Sequence, residues 1–208
     1  MKRLFLASTS PRRRDLLATL GVEFEVLTTP VDENMPPLPP EKAVEVLAAR
    51  KAQAAAVEVP QGLIIGADTV VVHRGRILGK PADAAQAREM LSSLQGDSHT
   101  VFTGVAVVAA PGGETAVGHA QTKVYFAPLG PEEINAYVAT GEPLDKAGAY
   151  GAQGLGAVFI RRFEGCYFNV VGLPLNLLSD LLMGFGVNLL YERCEAGGWR
   201  RSTQDCKT

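Results

Sequence analysis

The feature that most constrains the fold is the apolar run GLIIGADTVVV at residues 62–72, which carries a single carboxylate, Asp68. Its length and β-branched residues predict a buried strand, because such side chains pack well on both faces of a sheet. A buried carboxylate is costly unless a cation, a metal ion or a hydrogen-bond network compensates it. Asp68 therefore requires a partner from elsewhere in the chain.

Short strands and amphipathic helices are predicted on both sides of this run. Strands are expected at RLFLA, VEFEVL, ILGKP, HTVFTGVAVVAA and AQTKVYFAPL, and a further strand is expected after the glycine-rich loop EPLDKAGAYGAQGLGAVFIRRF. Helices are expected from Pro11, from Pro40, over AAQAREMLSSL and over PEEINAYVATG, with NVVGLPLNLLSDLLMGFG as one closing helix. This order predicts an α/β fold with a mixed central sheet flanked by helices.

One domain over residues 1–190 accounts for these elements, since no repeat or linker divides them. Residues 191–208 lack periodicity and are predicted to be a poorly ordered C-terminal tail. The sequence has 20 Lys and Arg against 22 Asp and Glu. Because it has no excess of positive charge, no nucleic-acid partner is predicted. Short apolar runs predict no membrane partner. An odd number of cysteines without a CxxC pair indicates a reducing compartment, so a cytoplasmic location is expected.

Three arginines follow a predicted helix start in ASTSPRRRD. Arg12, Arg13 and Arg14 lie at the positive end of the helix dipole, where each cation is misplaced by about 0.3–1 kcal/mol. A bound phosphate explains this arrangement, because the backbone N–H groups from Ser8 onward and the guanidinium groups can share its oxygens. The alternative is that the arginines only cover the surface, and this alternative is strongest for Arg14.

Further charged residues occupy positions that suggest a site. The helical spacing places Lys51 on an inward face, and the hairpin after Asp68 returns Lys80 to the same end of the sheet. Glu33 lies in a proline-rich loop and, together with Asp68, could hold Mg²⁺ with substrate phosphates. The alternative is that Asp68 belongs to a structural ion pair with Lys51 or Lys80.

Several familiar nucleotide and hydrolase motifs are missing from the sequence. GRILGKP lacks the spacing and the Ser/Thr of a P-loop, and GAYGAQGLG does not satisfy GxGxxG. There is no HExxH motif and no GxSxG elbow. The remaining cations, carboxylates and helix start fit metal-assisted phosphoanhydride hydrolysis better than acyl transfer.

Taken in order, the segments LASTSPRRRDLL, VDE, ARKA, IIGADTVV, LGKP, FTGVAVV, GEPLDKAGAYGAQG and NVVGLPL resemble the Maf family of nucleoside triphosphate pyrophosphatases. The resemblance spans residues 3–185. It implies a fold similar to the inosine triphosphatase (Ham1) group, with two lobes and a deep cleft. It also implies hydrolysis of a nucleoside triphosphate to the monophosphate and pyrophosphate, with Mg²⁺, Mn²⁺ or Co²⁺ as cofactor, and a possible homodimer.

By motif position, the resemblance implies that Asp68 is the catalytic proton acceptor. It places Arg13, Lys51 and Lys80, with Glu33, at the triphosphate end of the cleft.

Base choice in this family is associated with positions that fall here on Arg12, Thr69 and Gln153. This triplet resembles the dTTP/UTP subfamily, whereas the sister subfamily acting on 7-methyl-GTP has Trp, Gln and Glu. A glutamine amide can match both the carbonyl and the N–H of a uracil or thymine edge. The order of preference among dTTP, UTP, CTP and modified pyrimidines stays open.

The resemblance leaves two alternatives to a dTTP/UTP pyrophosphatase. The first is a non-catalytic nucleotide-binding regulator of septum formation and cell division, and the second is the 7-methyl-GTP activity. A kinase or phosphatase without a P-loop is a further alternative from the residues alone.

Overall fold

The computed structural model describes residues 2–190, so the predicted tail at 191–208 lies outside the described residues. A seven-stranded sheet has the order β2-β1-β3-β5-β6-β7, with β4 paired to β3. The strands are β1 (Leu4–Ala7), β2 (Phe24–Leu27), β3 (Gly62–His73), β4 (Arg76–Leu78), β5 (Ser98–Ala110), β6 (Thr115–Phe126) and β7 (Ile160–Gly165). The helices are α1 (Pro11–Thr19), α2 (Pro40–Ala56), α3 (Ala84–Leu94), α4 (Pro131–Ala139), α5 (Tyr167–Val171) and α6 (Leu175–Gly184).

The sheet is mixed, as predicted. β1 pairs in parallel with β2 and β3, while β4, β5, β6 and β7 join through antiparallel ladders. The parallel part follows from the helical connections, because α1 returns the chain from β1 to β2 and α2 returns it from β2 to β3. The antiparallel part follows from the hairpin turns at residues 74–75 and 111–114.

An opening in the sheet lies beside the middle of β3. On one side β3 pairs with β5 from Gly62 to Val72. On its other side β1 pairs with residues 63–66 and β4 with residues 71–73. Within the described part of the chain, residues 67–70 therefore have no strand partner on that side. Asp68 and Thr69 lie in this opening.

Two glycines allow α2 to lie directly against the sheet. A Cβ at Gly66 would come within 2.3 Å of the Ala48 carbonyl oxygen, and one at Gly104 within 2.2 Å of the Val44 carbonyl oxygen. Any other residue would push the helix away, since such distances are far inside van der Waals contact. This close approach brings Lys51, on the same helix, to the level of the opening.

Three apolar clusters surround the opening. The first packs α1 and α6 on one face of the sheet, and the second packs α2 on the other face. The third packs α3 and α4 against the far ends of β3, β5 and β6. Residues of all three clusters, Val171, Ala7 and Val71 among them, line the same cleft.

The prediction of one closing helix is wrong. The segment forms α5 and α6, and between them Gly172 has a φ of 120°, a value that favours glycine. Pro174 directly precedes α6 and cannot donate a backbone hydrogen bond to continue α5. The break matters for the site, because it exposes the Gly172 carbonyl oxygen to Arg13.

The predicted glycine-rich loop is also more regular than expected. It contains 3₁₀ helices at Glu142–Asp145, Ala147–Ala149 and Gly154–Phe159 before β7 begins. β6 begins at Thr115, earlier than the predicted strand AQTKVYFAPL. Both β6 and its partner β5 are long because they form one continuous hairpin around the turn at residues 111–114.

Candidate active site

The opening in the sheet leads into a cavity of about 330 Å³. All of the site residues predicted from the sequence line this cavity. They come from α1 and the turn before it, the proline-rich loop, α2, β3, the segment after β4 and the loop before β7. These residues are Ser8, Arg12, Arg13, Glu33, Lys51, Asp68, Thr69, Lys80 and Gln153.

Asp68 has the cationic partner that its buried position requires. Lys51 Nζ lies 2.7 Å from Asp68 Oδ1 and 2.7 Å from Glu33 Oε1. The Lys51 and Asp68 side chains are only 13% and 15% exposed, whereas that of Glu33 is 65% exposed. The hydrogen bond from Lys51 lowers the pKa of Glu33, and the positive charge of Lys80 acts in the same direction. One lysine thus contacts both carboxylates at the cavity.

Arg13 is half-buried at the cleft and is held by protein groups. Its Nε donates to the Gly172 carbonyl oxygen at 2.8 Å, and its Nη2 donates to Thr69 Oγ1 at 2.9 Å. Burial lowers the pKa of Arg13, and the charge of Asp68 opposes this shift. The Arg14 side chain by contrast is 58% exposed, and its Nε lies 3.7 Å from Asp15 Oδ1. This exposure agrees with the alternative that Arg14 only covers the surface.

Arg12 joins α1 to the loop on the opposite side of the cleft. Its Nη1 lies 3.0 Å from Asp145 Oδ2, and Lys146 Nζ lies 2.7 Å from Asp145 Oδ1. Both Asp145 and Lys146 line the cavity. Sequence reasoning assigned no role to either residue, although the adjacent charges in EPLDKAG are a signal that could have suggested one.

Glu142 organises the loop that carries Gln153. Its carboxylate accepts hydrogen bonds from the Tyr137 hydroxyl at 2.9 Å, the Leu155 amide at 3.0 Å and the Gly156 amide at 3.1 Å. The Tyr137 hydroxyl in turn accepts from the Gly151 amide at 3.2 Å. Burial raises the pKa of Tyr137, so the hydroxyl stays protonated and donates to the carboxylate.

Thr69 begins a buried hydrogen-bond chain on the opposite face of β3 from Asp68. Its Oγ1 lies 2.9 Å from Oγ1 of Thr103, the residue directly across the ladder on β5. Thr103 Oγ1 donates to the Asn169 carbonyl oxygen at 2.9 Å. Thr103 and Asn169 are fully buried. Sequence reasoning assigned neither a role, because strand register places Thr103 and the position of α5 against β5 places Asn169.

The carboxylates in the cleft suit a shared cation site. Within residues 2–190 no group of three or more His, Cys, Asp or Glu side chains is placed to hold a metal ion. Asp68 and Glu33, which share Lys51 as a partner, are the residues at the cavity that could hold a divalent cation together with substrate phosphates. In the same part of the chain no helix is long and apolar enough to cross a membrane.

Together, fold and cavity define a mixed α/β protein whose cleft joins a lysine–carboxylate cluster to a hydrogen-bonding face built on Thr69. The family model described as Maf-like protein matches residues 3–185. The chain belongs to this family, as the sequence motifs predicted.

Two relatives cover nearly the whole chain. A dTTP/UTP pyrophosphatase of Pelotomaculum thermopropionicum is 56% identical over 91% of this chain and 100% of its own length. A dTTP/UTP pyrophosphatase of Moorella thermoacetica is 55% identical over 91% of this chain and 98% of its own length. Among solved structures, the Staphylococcus aureus Ham1 protein matches 88% of this chain and 100% of its own, with 18% identity and a TM-score of 0.47.

Proposed function

We propose that this protein is a pyrophosphatase that hydrolyses dTTP and UTP to the nucleoside monophosphate and pyrophosphate. The observation that carries the proposal is the contact of Lys51 with both Asp68 and Glu33 inside the cleft. The names of relatives that are 55–56% identical support the same activity. Two other functions fit the sequence, a nucleotide-binding regulator without activity and a 7-methyl-GTP pyrophosphatase. Identification of the reaction products separates all three.

The charge distribution favours a polyphosphate in the part of the cleft near Asp68. Lys51 and Lys80 line this part, and α1 begins beside it with the backbone of residues 8–10. Ammonium groups and a helix N-terminus stabilise phosphate oxygens and, above all, the charge that builds up on a leaving pyrophosphate. Glu33 and Asp68 keep the lysine in place when no phosphate is bound.

Asp68 supplies the base for the hydrolytic step. Its carboxylate takes a proton from a water molecule while the water oxygen forms a bond to the α-phosphorus. The bond from the α-phosphorus to the bridging oxygen breaks, and pyrophosphate leaves toward the lysines. Lys51, at 2.7 Å, holds the Asp68 carboxylate in position before the step.

A divalent cation such as Mg²⁺, Mn²⁺ or Co²⁺ would be held by Asp68, Glu33 and oxygens of the substrate. Such an ion supplies Lewis-acid stabilisation of charge on the phosphoryl oxygens. Glu33 is suited to this role because its side chain is 65% exposed at the cavity and its pKa is lowered by the hydrogen bond from Lys51.

The opposite side of the cleft is proposed to recognise the base. Gln153 lines it on a loop held by Glu142, and Arg12 lines it on a helix tied to Asp145. An amide offers both a donor and an acceptor, so Gln153 can pair with the O4 and N3–H of a uracil or thymine edge. A guanine edge that presents two donors would be matched better by a carboxylate.

Product identification tests the proposal. The purified chain is incubated with dTTP, UTP, CTP, GTP, ATP and 7-methyl-GTP, each with Mg²⁺, Mn²⁺ or Co²⁺, and with a chelator as control. We expect dTMP or UMP with pyrophosphate, and loss of turnover with the chelator. Orthophosphate and a diphosphate would identify a phosphatase instead, binding without turnover would identify a regulator, and preferred use of 7-methyl-GTP would identify the sister activity.

A further inference from the structure

One carboxylate at the cavity has no part in the proposed hydrolysis. Among the residues that the structure describes, the acidic residues lining the cavity are Glu33, Asp68 and Asp145. Glu33 and Asp68 share Lys51 and belong to the reacting end of the cleft, whereas Asp145 ends the 3₁₀ helix Glu142–Asp145. Because a nucleoside triphosphate is an anion, an ionised carboxylate repels it unless the carboxylate meets hydrogen-bond donors. The position of Asp145 therefore points to a donor group on the bound nucleotide.

The Asp145 carboxylate is ionised and is held in one orientation. Lys146 Nζ lies 2.7 Å from its Oδ1, and Arg12 Nη1 lies 3.0 Å from its Oδ2. Partial burial acts to raise the pKa of Asp145, but the hydrogen bonds from Lys146 and Arg12 outweigh it and lower the pKa. Lys146 is fixed in turn, because its ammonium group also donates to the Glu142 carbonyl oxygen. Two cations thus orient Asp145 before a ligand arrives.

Asp145 keeps the capacity to accept further hydrogen bonds. An ionised carboxylate has about two lone-pair positions on each oxygen and no hydrogen to donate. Lys146 uses one position on Oδ1 and Arg12 uses one on Oδ2, so each oxygen has another position free. The side chain is 61% exposed, so a ligand can reach it. Phosphate oxygens are excluded as partners, and a hydroxyl or N–H group is required.

The loop that follows Asp145 connects the two ends of the cleft. The Gly148 amide donates to the Gly79 carbonyl oxygen at 3.0 Å, directly beside Lys80 at the phosphate end. Further along the same loop, Gln153 lines the side proposed to recognise the base. Arg12 holds Asp145 close to the start of α1. In a nucleotide the sugar joins the base to the phosphates, so the sugar hydroxyls are the donors that lie along this interval.

We propose that Asp145 binds the 3′-hydroxyl group of the nucleotide sugar. Ribose and 2′-deoxyribose both carry a 3′-hydroxyl, whereas only ribose carries a 2′-hydroxyl. A site that accepts UTP and dTTP alike must take its sugar contact from the group that both share. A hydrogen bond from a hydroxyl to a carboxylate is charge-assisted and therefore stronger than one between neutral groups. The inference rests on the proposed function and adds to it the part of the substrate between base and phosphates.

The first test uses the unaltered protein and three nucleotides that differ only in the sugar. These are UTP, 2′-deoxy-UTP and 3′-deoxy-UTP, and release of pyrophosphate measures kcat/KM for each. We expect kcat/KM for 3′-deoxy-UTP to be at least about tenfold below that for UTP, the loss of one hydrogen bond to a charged group. The value for 2′-deoxy-UTP should stay close to that for UTP. Equal values for all three nucleotides, or a loss confined to 2′-deoxy-UTP, would overturn the inference.

The second test repeats the comparison in two variants of Asp145. Asp145→Ala removes the acceptor, so UTP and 3′-deoxy-UTP should be used equally well. Asp145→Asn keeps one acceptor oxygen and should keep part of the preference. Loss of Asp145 also frees Arg12 and Lys146, which changes the rates for all nucleotides, so only the ratio between the two sugars reports the contact. Asp180→Ala, at an exposed position of α6, is the control and should keep the full ratio.

The same ratio in Asp145→Ala as in the unaltered protein would overturn the inference and leave Asp145 a counter-ion of Arg12 and Lys146. A third measurement separates this result from failure of the proposed function. UMP, 2′-deoxy-UMP and 3′-deoxy-UMP have no anhydride bond, so calorimetry gives their affinities without turnover. A chain that releases no pyrophosphate but binds 3′-deoxy-UMP about tenfold more weakly than UMP, and loses this difference in Asp145→Ala, would refute the activity and support the sugar contact. Binding of none of the three, without turnover, would overturn both.

Discussion

The two faces of β3 line the same cavity, but the side chains on them are held by different interactions. On one face Asp68 is held by the charge of Lys51, which also contacts the largely exposed Glu33. On the other face Thr69 is held by the fully buried Thr103 hydroxyl behind it and by a hydrogen bond from the Arg13 guanidinium. Charges attract an anion over a distance but are weakened by solvent, whereas directed hydrogen bonds act only at contact.

This difference suggests a division of labour between neighbouring residues. The face with Asp68 is suited to hold and cleave a polyphosphate, and the face with Thr69 to distinguish bases of the same size. Substitutions on the Asp68 side of the cleft should therefore change turnover, and those on the Thr69 side should change preference.

The largest effect is expected for Asp68→Asn. Loss of the base lowers kcat by about 10²–10⁴-fold, the usual contribution of a positioned base. Binding of UTP and the order of preference among bases should be kept, because the amide preserves the shape of the side chain. Steady-state kinetics and calorimetry measure the two quantities, with Asp180→Asn on α6 as control. Turnover at the unaltered rate would remove Asp68 from the mechanism.

The second largest effect is expected for Glu142→Ala. The free energy of unfolding should fall by about 2 kcal/mol because the hydrogen bonds of the carboxylate are lost. The loop that carries Gln153 would lose its link to Tyr137, so KM should rise more than kcat falls. Thermal unfolding and kinetics measure these changes. Glu132→Ala, at an exposed position of α4, should change neither. An unaltered KM would show that the loop is held by other contacts.

Gln153→Glu should change preference with little change in the chemical step. A carboxylate cannot donate to O4 of uracil or thymine, so kcat/KM for dTTP and UTP should fall about tenfold. Competition assays with mixed triphosphates measure the ratio directly. If kcat falls equally for every nucleotide while preference is kept, the separation between the two faces is refuted.

The smallest effect is expected from Glu33→Gln on stability at acid pH. The folded pKa of Glu33 is lowered, first by the hydrogen bond from Lys51. Its contribution is therefore complete above the ordinary pKa of 4.5 and is lost as the pH falls through the lowered value. In urea unfolding, the free energy of unfolding of the variant should fall less between neutral and acid pH than that of the unaltered protein. Because Glu33 is exposed, salt should reduce the difference.

Sequence reasoning predicted the charged face well because its signals are local. A carboxylate in an apolar strand and a lysine on an apolar helix face are each anomalous alone, and the structure brings Asp68 and Lys51 together. Thr103 and Asn169 carry no such anomaly, since threonine is common in strands and asparagine in turns. The role of Thr103 depends on which residue lies across the ladder, and that of Asn169 on where α5 packs, and neither long-range contact is encoded in a short window.

The division of the last helix was missed for a different reason. Apolar periodicity continues across the break, so the pattern favours one helix, while Gly172 and Pro174 act against it. The backbone effect prevailed because Pro174 cannot donate the hydrogen bond that a continuing helix needs there.

The interruption beside residues 67–70 also bears on strand pairing between chains. Uncovered strand edges are the usual starting points for pairing with another chain and for amyloid-like growth. Here the free stretch is bounded by β1 at one end and β4 at the other, and it carries the Asp68 carboxylate. A foreign strand would find room for too few rungs and would have to bury Asp68, so the sheet can stay open to a small molecule while remaining closed to a neighbour.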